Sequence, residues 1–354
     1  DLEDQGRPPA PLPPRCRLAS WNCRTLFGSS QASDLSASRA RASHKVVEQL
    51  VMSHDIVLLQ ETHGSVHDLL SISHKFVHNI TRGSFTAAGR SGGLVFIVDP
   101  KLAEAYGPGM YHRLEMVATV PGRIAKIIFP RTQSLMPLEV TNLHFEVELQ
   151  PGAPGFHGSR LGFAQALFRS LAPRCGVHSI VAGDWNSTPS DEPRFNPIEG
   201  TFADDRSTVA KKIEEGMSQY TELYQPHYTR RGMSGGVIVK LSRIDRIYSN
   251  VATCELLDRR PRVATIGLIT TITSPSDHVP VSVVFYDPWS SPPPFPTIAP
   301  WVSKHRFFPL AVDQLWKTVC NRALDPMARL AVAKEVLHGA AYLTKKRAAE
   351  VGAE

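Results

Sequence analysis

Cysteine is scarce in this chain of 354 residues. Only Cys16, Cys23, Cys175, Cys254 and Cys320 occur, an odd and scattered set with no C-x-x-C pair. That spacing argues against a disulfide framework and against a zinc site, and it fits a reducing, intracellular compartment. No apolar run is long enough to span a membrane, so no membrane partner is expected. The N-terminus has no charged-then-apolar signal pattern. It begins at Asp1 rather than Met, as a piece of a longer protein would. No internal repeat is visible.

What is present is ordinary globular material, with 42% hydrophobic and 20% charged residues, enough to bury a sizeable core. The formal net charge is +6, which suits a polyanionic partner without identifying one. Residues 1–15 are proline-rich (Pro8, Pro9, Pro11, Pro13, Pro14) and read as a flexible leader. From there to 288, short Val/Ile/Phe-rich runs alternate with helical patterns and Gly/Pro/Ser breaks, as in one layered α/β domain. Residues 289–306 read as a proline-rich linker. Residues 307–354 read as a helical segment that leads towards a further region downstream.

Strands are predicted at Arg17–Trp21, Asp55–Gln60, Gly93–Asp99, Met116–Val120, Ile124–Phe129, Leu138–His144, Ser179–Gly183, Ile244–Tyr248 and Val279–Tyr286. Helices are predicted at Ser38–Ser53 and Ser159–Leu171, and past the linker at Leu310–Arg322 and Asp325–Glu354. In the first helix Val46, Val47, Leu50 and Val51 share one face.

Six short motifs carry polar residues at or just past the ends of these strands: Ser20-Trp21-Asn22, Leu59-Gln60-Glu61-Thr62, Thr141-Asn142-Leu143-His144, Ala182-Gly183-Asp184-Trp185-Asn186, Ser242 to Tyr248, and Ser276-Asp277-His278-Val279-Pro280. Strand ends are where distant parts of a chain converge on one cleft while the sheet holds them rigid. Glu61, Asp184, Asp245 and Asp277 packed together would repel and shift one another's pKa values unless a cation lay among them. Mg²⁺ prefers such oxygen ligands, with Mn²⁺ as a substitute. Asn22 and Asn186 add neutral ligands or donors, and His144 and His278 add groups that titrate near neutrality. Together these suit attack of water on a phosphate ester. Alone, each Asn or Asp reads as a turn former. Trp21 and Trp185 read as core packing beside the site rather than as base-stacking platforms. His63 is close enough in sequence to Glu61 to touch the site.

The ordered set of six resembles the endonuclease/exonuclease/phosphatase superfamily over about residues 16–288. The resemblance implies a deoxyribonuclease I-like, four-layer α/β sandwich, with two mixed sheets packed face to face and flanking helices. It implies that Glu61 binds the metal, with Asn22 and Asp277 in the same shell. It places His144 at the scissile phosphate, Asp184 and Asn186 at the attacking water, and His278 as proton carrier or transition-state stabiliser, held by Asp245. A Thr229-Arg230-Arg231 element ahead of Ser242-Arg243-Ile244-Asp245 resembles the endonuclease domains of non-LTR (LINE-type) retrotransposons, where this region forms a hairpin near DNA. That makes Arg230 and Arg231 candidate DNA contacts. It also implies a target-nicking, Mg²⁺-dependent endonuclease acting on DNA, with a reverse transcriptase region downstream in the same polyprotein, and a nuclear location if the substrate is chromosomal. The rival readings are a phosphatase of the same superfamily acting on an inositol phosphate or lipid headgroup, and a catalytically inactive nucleic-acid-binding remnant.

Overall fold

The structure is a computed structural model. It describes residues 16–27, 34–87, 92–132, 135–145, 160–171, 177–189, 192, 194–203, 208–225, 227–250, 262–265, 275–285, 298, 300–319 and most positions between 333 and 348. The leader over 1–15, most of the proline-rich span, and residues 320–332 of the last helical stretch lie outside this set. The chain forms two compact units, Asp1–Trp289 and Ser290–Glu354.

In the first unit the chain runs β1 (Cys16–Asn22), α1 (Asp34–Ser53), β2 (Ile56–Gln60), α2 (Val66–Lys75), β3 (Ile80–Ser84) and β4 (Leu94–Val98). It continues through α3 (Pro100–Ala105), α4 (Met110–Arg113), β5 (Glu115–Val120), β6 (Ile124–Phe129), β7 (Leu138–His144), α5 (Arg160–Ser170) and β8 (His178–Asp184). Then come β9 (Arg194–Asn196), β10 (Thr201–Ala203), α6 (Thr208–Gly216), β11 (Thr221–Glu222), β12 (Arg230–Ser234), β13 (Val237–Ser242), β14 (Asp245–Ser249), β15 (Arg262–Thr265) and β16 (Val281–Phe285).

These strands make two six-stranded sheets, in the orders β15-β16-β1-β2-β4-β3 and β11-β14-β8-β7-β6-β5. Each is mixed. The pairs β1–β2 and β7–β8 are parallel, and the other neighbours are antiparallel.

Strand periodicity sorts the side chains into layers. In β2, Ile56 and Leu58 face the central core while Val57 and Leu59 face outward, and β4 alternates in the same way. Ala125, Ile127, Val140, Ile180 and Ile247 of the second sheet meet them in the centre. The outer face of the first sheet packs on Val46, Val47 and Leu50 of α1 and Ile72 of α2. The outer face of the second packs on Phe163 and Leu167 of α5 and Ile213 of α6. Helix, sheet, sheet, helix is the four-layer sandwich expected from the sequence. Each fully buried Leu, Ile or Phe contributes about 1.5–3 kcal/mol.

A third, four-stranded sheet, β10-β9-β13-β12, stands beside the sandwich. Its β12–β13 hairpin turns at Gly235 and Gly236, both at positive φ (55° and 81°), as a type I′ turn requires.

In the second unit, α7 (Pro300–Lys304) falls inside the span read as linker, and α8 (Phe307–Val319) begins three residues before the predicted Leu310. Pro309 lies in the first turn of α8, where a proline sacrifices no intrahelical bond. Among the described residues no helix is long and apolar enough to cross a membrane.

Candidate functional site

The alternation that builds the core also builds the site. Leu18 of β1, Ile56 and Leu58 of β2, Val140 of β7, Ile180 and Ala182 of β8 and Ile247 of β14 point into the central layer. An even number of residues nearer the sheet edge, the same inner face carries Asn22, Gln60, Asn142, Asp184 and Asp245. The core therefore ends in a polar floor at one edge of the sandwich. Asp184 lies in register with His144 on one side and with Asp245 on the other.

Within this floor, Gln60 Nε2 donates to Asn142 Oδ1 (2.7 Å) and to Ser20 Oγ (3.0 Å). Asn142 Nδ2 donates to the carbonyls of Leu59 and Val95. These buried amides bolt one sheet to the other. Both lie in motifs the sequence singled out, though neither was picked as a site residue.

The acidic groups converge on one amide. Asn22 Nδ2 donates to Glu61 Oε1 (3.0 Å) and to Asp184 Oδ2 (2.8 Å). Glu61 sits just past β2 at φ 49°, a left-handed conformation that turns its side chain back over the strand end. His144 Nε2 lies 3.0 Å from the same Glu61 oxygen. On the other edge of that ring, Arg123 Nη1 lies 2.7 Å from Nδ1. A guanidinium has only hydrogens to give, so Nδ1 accepts and the ring hydrogen sits on Nε2, facing Glu61. Burial works against charge on Glu61, but the hydrogen bonds from His144 and Asn22 outweigh it and hold the carboxyl well below the usual range.

Arg123 was missed in the sequence. It is an arginine in the turn between β5 and β6, and nothing local announces that it is 6% exposed and pressed against a site histidine. His63 lies 4.0 Å from Glu61 Oε2 and contacts Thr25 Oγ1.

The second half of the floor is a histidine between carboxylates. His278 Nδ1 meets Asp245 Oδ2 at 2.9 Å, and Nε2 lies 3.8 Å from Asp184 Oδ2. Burial opposes its charge, but Asp245 and Asp184 outweigh burial and raise His278 to about 9. Burial pushes Asp184 up, partly offset by His278. Thr229 Oγ1 accepts from the backbone N–H groups of Ile244 and Asp245 and fixes the start of β14. Asn186 N–H donates to Asp184 Oδ1, and its side-chain amide donates to the Phe145 carbonyl. Trp21 and Trp185 are buried and lock these loops from behind, the first through a hydrogen bond to the His278 carbonyl.

Not every expected residue joins the floor. The Asp277 carboxylate lies between Arg24 (3.1 Å) and Arg230 (3.3 Å). Arg231 is exposed, and its backbone N–H donates to the Asp277 carbonyl. Successive residues of a strand face opposite sides, so Arg231 projects away from the contact Arg230 makes.

Among the described residues, the ligand atoms of Glu61, His144 and Asp184 lie within 4.8 Å of one another, as do those of Asp184, Asp245 and His278. The first set suits a divalent cation. Two carboxylates, one of them fully buried, converge on a single amide donor, and a hard cation between them would offset their combined negative charge.

The raised His278 has a consequence for stability. A group whose pKa is higher folded than unfolded stabilises fully below the unfolded value, and the contribution disappears as pH rises through the folded one. In EDTA, the wild-type protein is expected to lose on the order of 3 kcal/mol between pH 6.5 and 10 through this group. His278→Gln should lack that dependence, as chemical denaturation across the pH range would show.

The sequence pattern of the Endonuclease/Exonuclease/phosphatase family matches residues 19–278. No curated protein sequence matches the chain. Among solved structures, the AP endonuclease LMAP from Leishmania major superposes with a TM-score of 0.56 at 14% identity, over 77% of this chain and 88% of that one. The 3'-5' exonuclease NExo from Neisseria meningitidis gives 0.53 at 13%, over 76% and 99%. A single-residue variant of the 3' phosphatase NExo from Neisseria, bound to product DNA hairpin, gives 0.52 at 15%, again over 76% and 99%. These likenesses establish the shared fold. The matched stretch runs from β1 through the floor to His278 and takes in five of the six motifs whole and the sixth as far as its histidine, so the chain belongs to the Endonuclease/Exonuclease/phosphatase family, whose members are metal-dependent nucleases and phosphodiesterases.

Proposed function

We propose that this chain is an endonuclease that hydrolyses DNA phosphodiester bonds with Mg²⁺, and with Mn²⁺ as a working substitute. The observation that carries the reading is the joining of two devices on one buried floor. One is a cation-suited set at Glu61, Asn22 and Asp184. The other is an imidazole gripped by Asp245 with its free nitrogen turned to Asp184.

Glu61 and Asp184 would hold the ion, helped by Asn22. Bound there, Mg²⁺ supplies charge neutralisation at the phosphoryl oxygens. Asp184, whose carboxyl is pushed up by burial, orients the attacking water and takes its proton. Asn186 keeps Asp184 aimed through its backbone N–H. His144, with hydrogen on Nε2, is a donor beside Glu61. With its pKa raised to about 9, His278 is cationic near neutrality, so it donates to the charge developing on the phosphate rather than abstracting a proton.

DNA as substrate is supported by the net charge of +6, by the half-buried Arg230 and the exposed Arg231 on the hairpin, and by the DNA hairpin bound to the Neisseria neighbour. The finer reading is the target-nicking domain of a retrotransposon-type polyprotein, acting in the nucleus. It is supported by the Thr229–Arg231 element: Arg230 and Arg231 open the first arm of the β12–β13 hairpin, and Thr229 Oγ1 accepts from the Asp245 N–H at the start of β14.

Plasmid nicking tests the proposal. Supercoiled plasmid should convert to open circles in Mg²⁺ and stay intact in EDTA. Glu61→Ala should slow the conversion by at least about 10³-fold, because several kcal/mol of charge stabilisation goes with it. Unimpaired nicking by Glu61→Ala would overturn the assignment. Phosphate release from an inositol polyphosphate with the plasmid left intact would move it to the phosphatase branch.

A further inference from the structure

Asp277 follows Ser276 and precedes His278, yet among the described residues neither cation-suited group includes it. Its carboxylate faces two guanidiniums. Arg24 Nη1 approaches Oδ1 at 3.1 Å as an ion pair rather than an aligned hydrogen bond, and Arg230 Nε donates to Oδ2 at 3.3 Å. The Asp277 side chain is 10% exposed, against 54% for Arg24 and 38% for Arg230. The carboxylate thus fixes one edge of each guanidinium and leaves other N–H donors turned to solvent.

The backbone holds both arginines beside the floor. Arg24 is two residues past Asn22, and its N–H donates to Asn22 Oδ1 at 3.1 Å. Arg24 and Thr25 have φ of 45° and 93°, left-handed conformations that residues other than glycine hold only under strain. They persist because Thr25, Leu26 and Phe27 donate to the carbonyls of Glu61 and Thr62. On the other side, Arg230 forms a β-bridge with His278, and Arg231 N–H donates to the Asp277 carbonyl at 2.9 Å. Ser276 Oγ closes the frame on the Asn22 carbonyl at 2.7 Å. One arginine is therefore tied to Asn22 and the other to His278, and Asp277 balances only one of their two charges.

We propose that Arg24 and Arg230 form a two-pronged seat for a DNA phosphate flanking the scissile bond, and that Asp277 positions the prongs rather than holding the metal. The proposal rests on the nuclease reading above. A mere surface staple would contribute little to stability and would need only one arginine. Two converging guanidiniums with spare donors match the bidentate recognition of phosphate.

The test uses the full 354-residue chain. Binding of a fluorescent DNA duplex is measured in EDTA as salt rises. Arg24→Gln and Arg230→Gln should each flatten the slope of log K against log salt by about 1, the signature of one lost phosphate contact. Arg24→Lys should restore most of the slope. In parallel, Mn²⁺ binding is followed by calorimetry. Asp277→Asn should leave Mn²⁺ affinity unchanged while Glu61→Gln weakens it at least tenfold. Unchanged slopes in both arginine variants, with altered thermal stability alone, would reduce the cluster to a staple. Loss of Mn²⁺ affinity in Asp277→Asn would make it a metal ligand. Either result overturns the proposal while the nuclease reading stands. Failure of the wild-type protein to bind DNA at all removes both.

Discussion

His278→Gln is expected to lower the turnover of DNA cleavage by about 10³-fold, near the upper end of the loss seen when one preorganised transition-state donor is removed. Nδ1 is committed to Asp245 at 2.9 Å, so only Nε2 is available to the reacting phosphate. Glutamine can reach neither partner with that charge or shape. Asp245→Asn makes a finer probe, because it leaves the ring in place and removes the negative charge that raises it. In the wild type, His278 is raised to about 9, so turnover should hold through neutral pH and fall as pH climbs past that value. Without the Asp245 charge the imidazole deprotonates earlier, and the alkaline limb should move down by at least about a unit. Asp245→Asn should therefore be impaired far more at alkaline than at mildly acidic pH. A pH–rate profile with an unmoved alkaline limb would dismiss His278 as the cationic donor.

Gly183→Ala should be nearly as damaging, for a reason that involves no chemistry. Gly183 precedes Asp184 at φ 150°, a region effectively closed to side chains. A Cβ there would lie 1.9 Å from the Leu143 carbonyl oxygen of the neighbouring parallel strand. Backbone cannot step aside without parting β7 from β8. Strain of about 1–3 kcal/mol would add to the cost of that displacement. If the protein still folds, Asp184 and His144 will be out of register, and an ångström of misplacement is enough to cost about 100-fold in rate. Gly183→Ala protein with wild-type stability and turnover would contradict the described packing.

Much of this molecule could be read from its residues. All nine predicted strands are present, with ends displaced by at most two residues. Their Val/Ile/Leu runs are long and bounded by turn residues. Seven strands were not predicted; β13, Val-Ile-Val-Lys-Leu-Ser, carries the same signal, whereas four of the others lack that contrast. β3 is Ile-Thr-Arg-Gly-Ser, an edge strand with glycine in its interior, and β9 to β11 are two or three residues long. Helix α2 had a signal that went unused: Ser65 and Asp68 form a capping box at its start.

At the site, Asn22, Glu61, His144, Asp184, Asp245 and His278 were expected together and do converge, because strand-end position and parity are properties a sequence carries. Direction and partner are not. Nothing local to Asp277 says that its carboxylate meets Arg24 and Arg230 rather than the acidic floor. Nothing local to Arg123 reveals a buried guanidinium pressed against His144. Both contacts arise from turns that only tertiary structure brings together.

Asn22 and Glu61 descend from one sheet, whereas His144, Asp184 and Asp245 descend from the other. Neither half owns a working centre. A nascent chain in which only β1 to β4 have formed holds Asn22 and Glu61 but neither the groups of the second sheet nor His278, so the site is complete only when the two sheets close on the Gln60–Asn142 bolt. Residual activity during unfolding should accordingly track the separation of the sheets, well before either has lost its own strands.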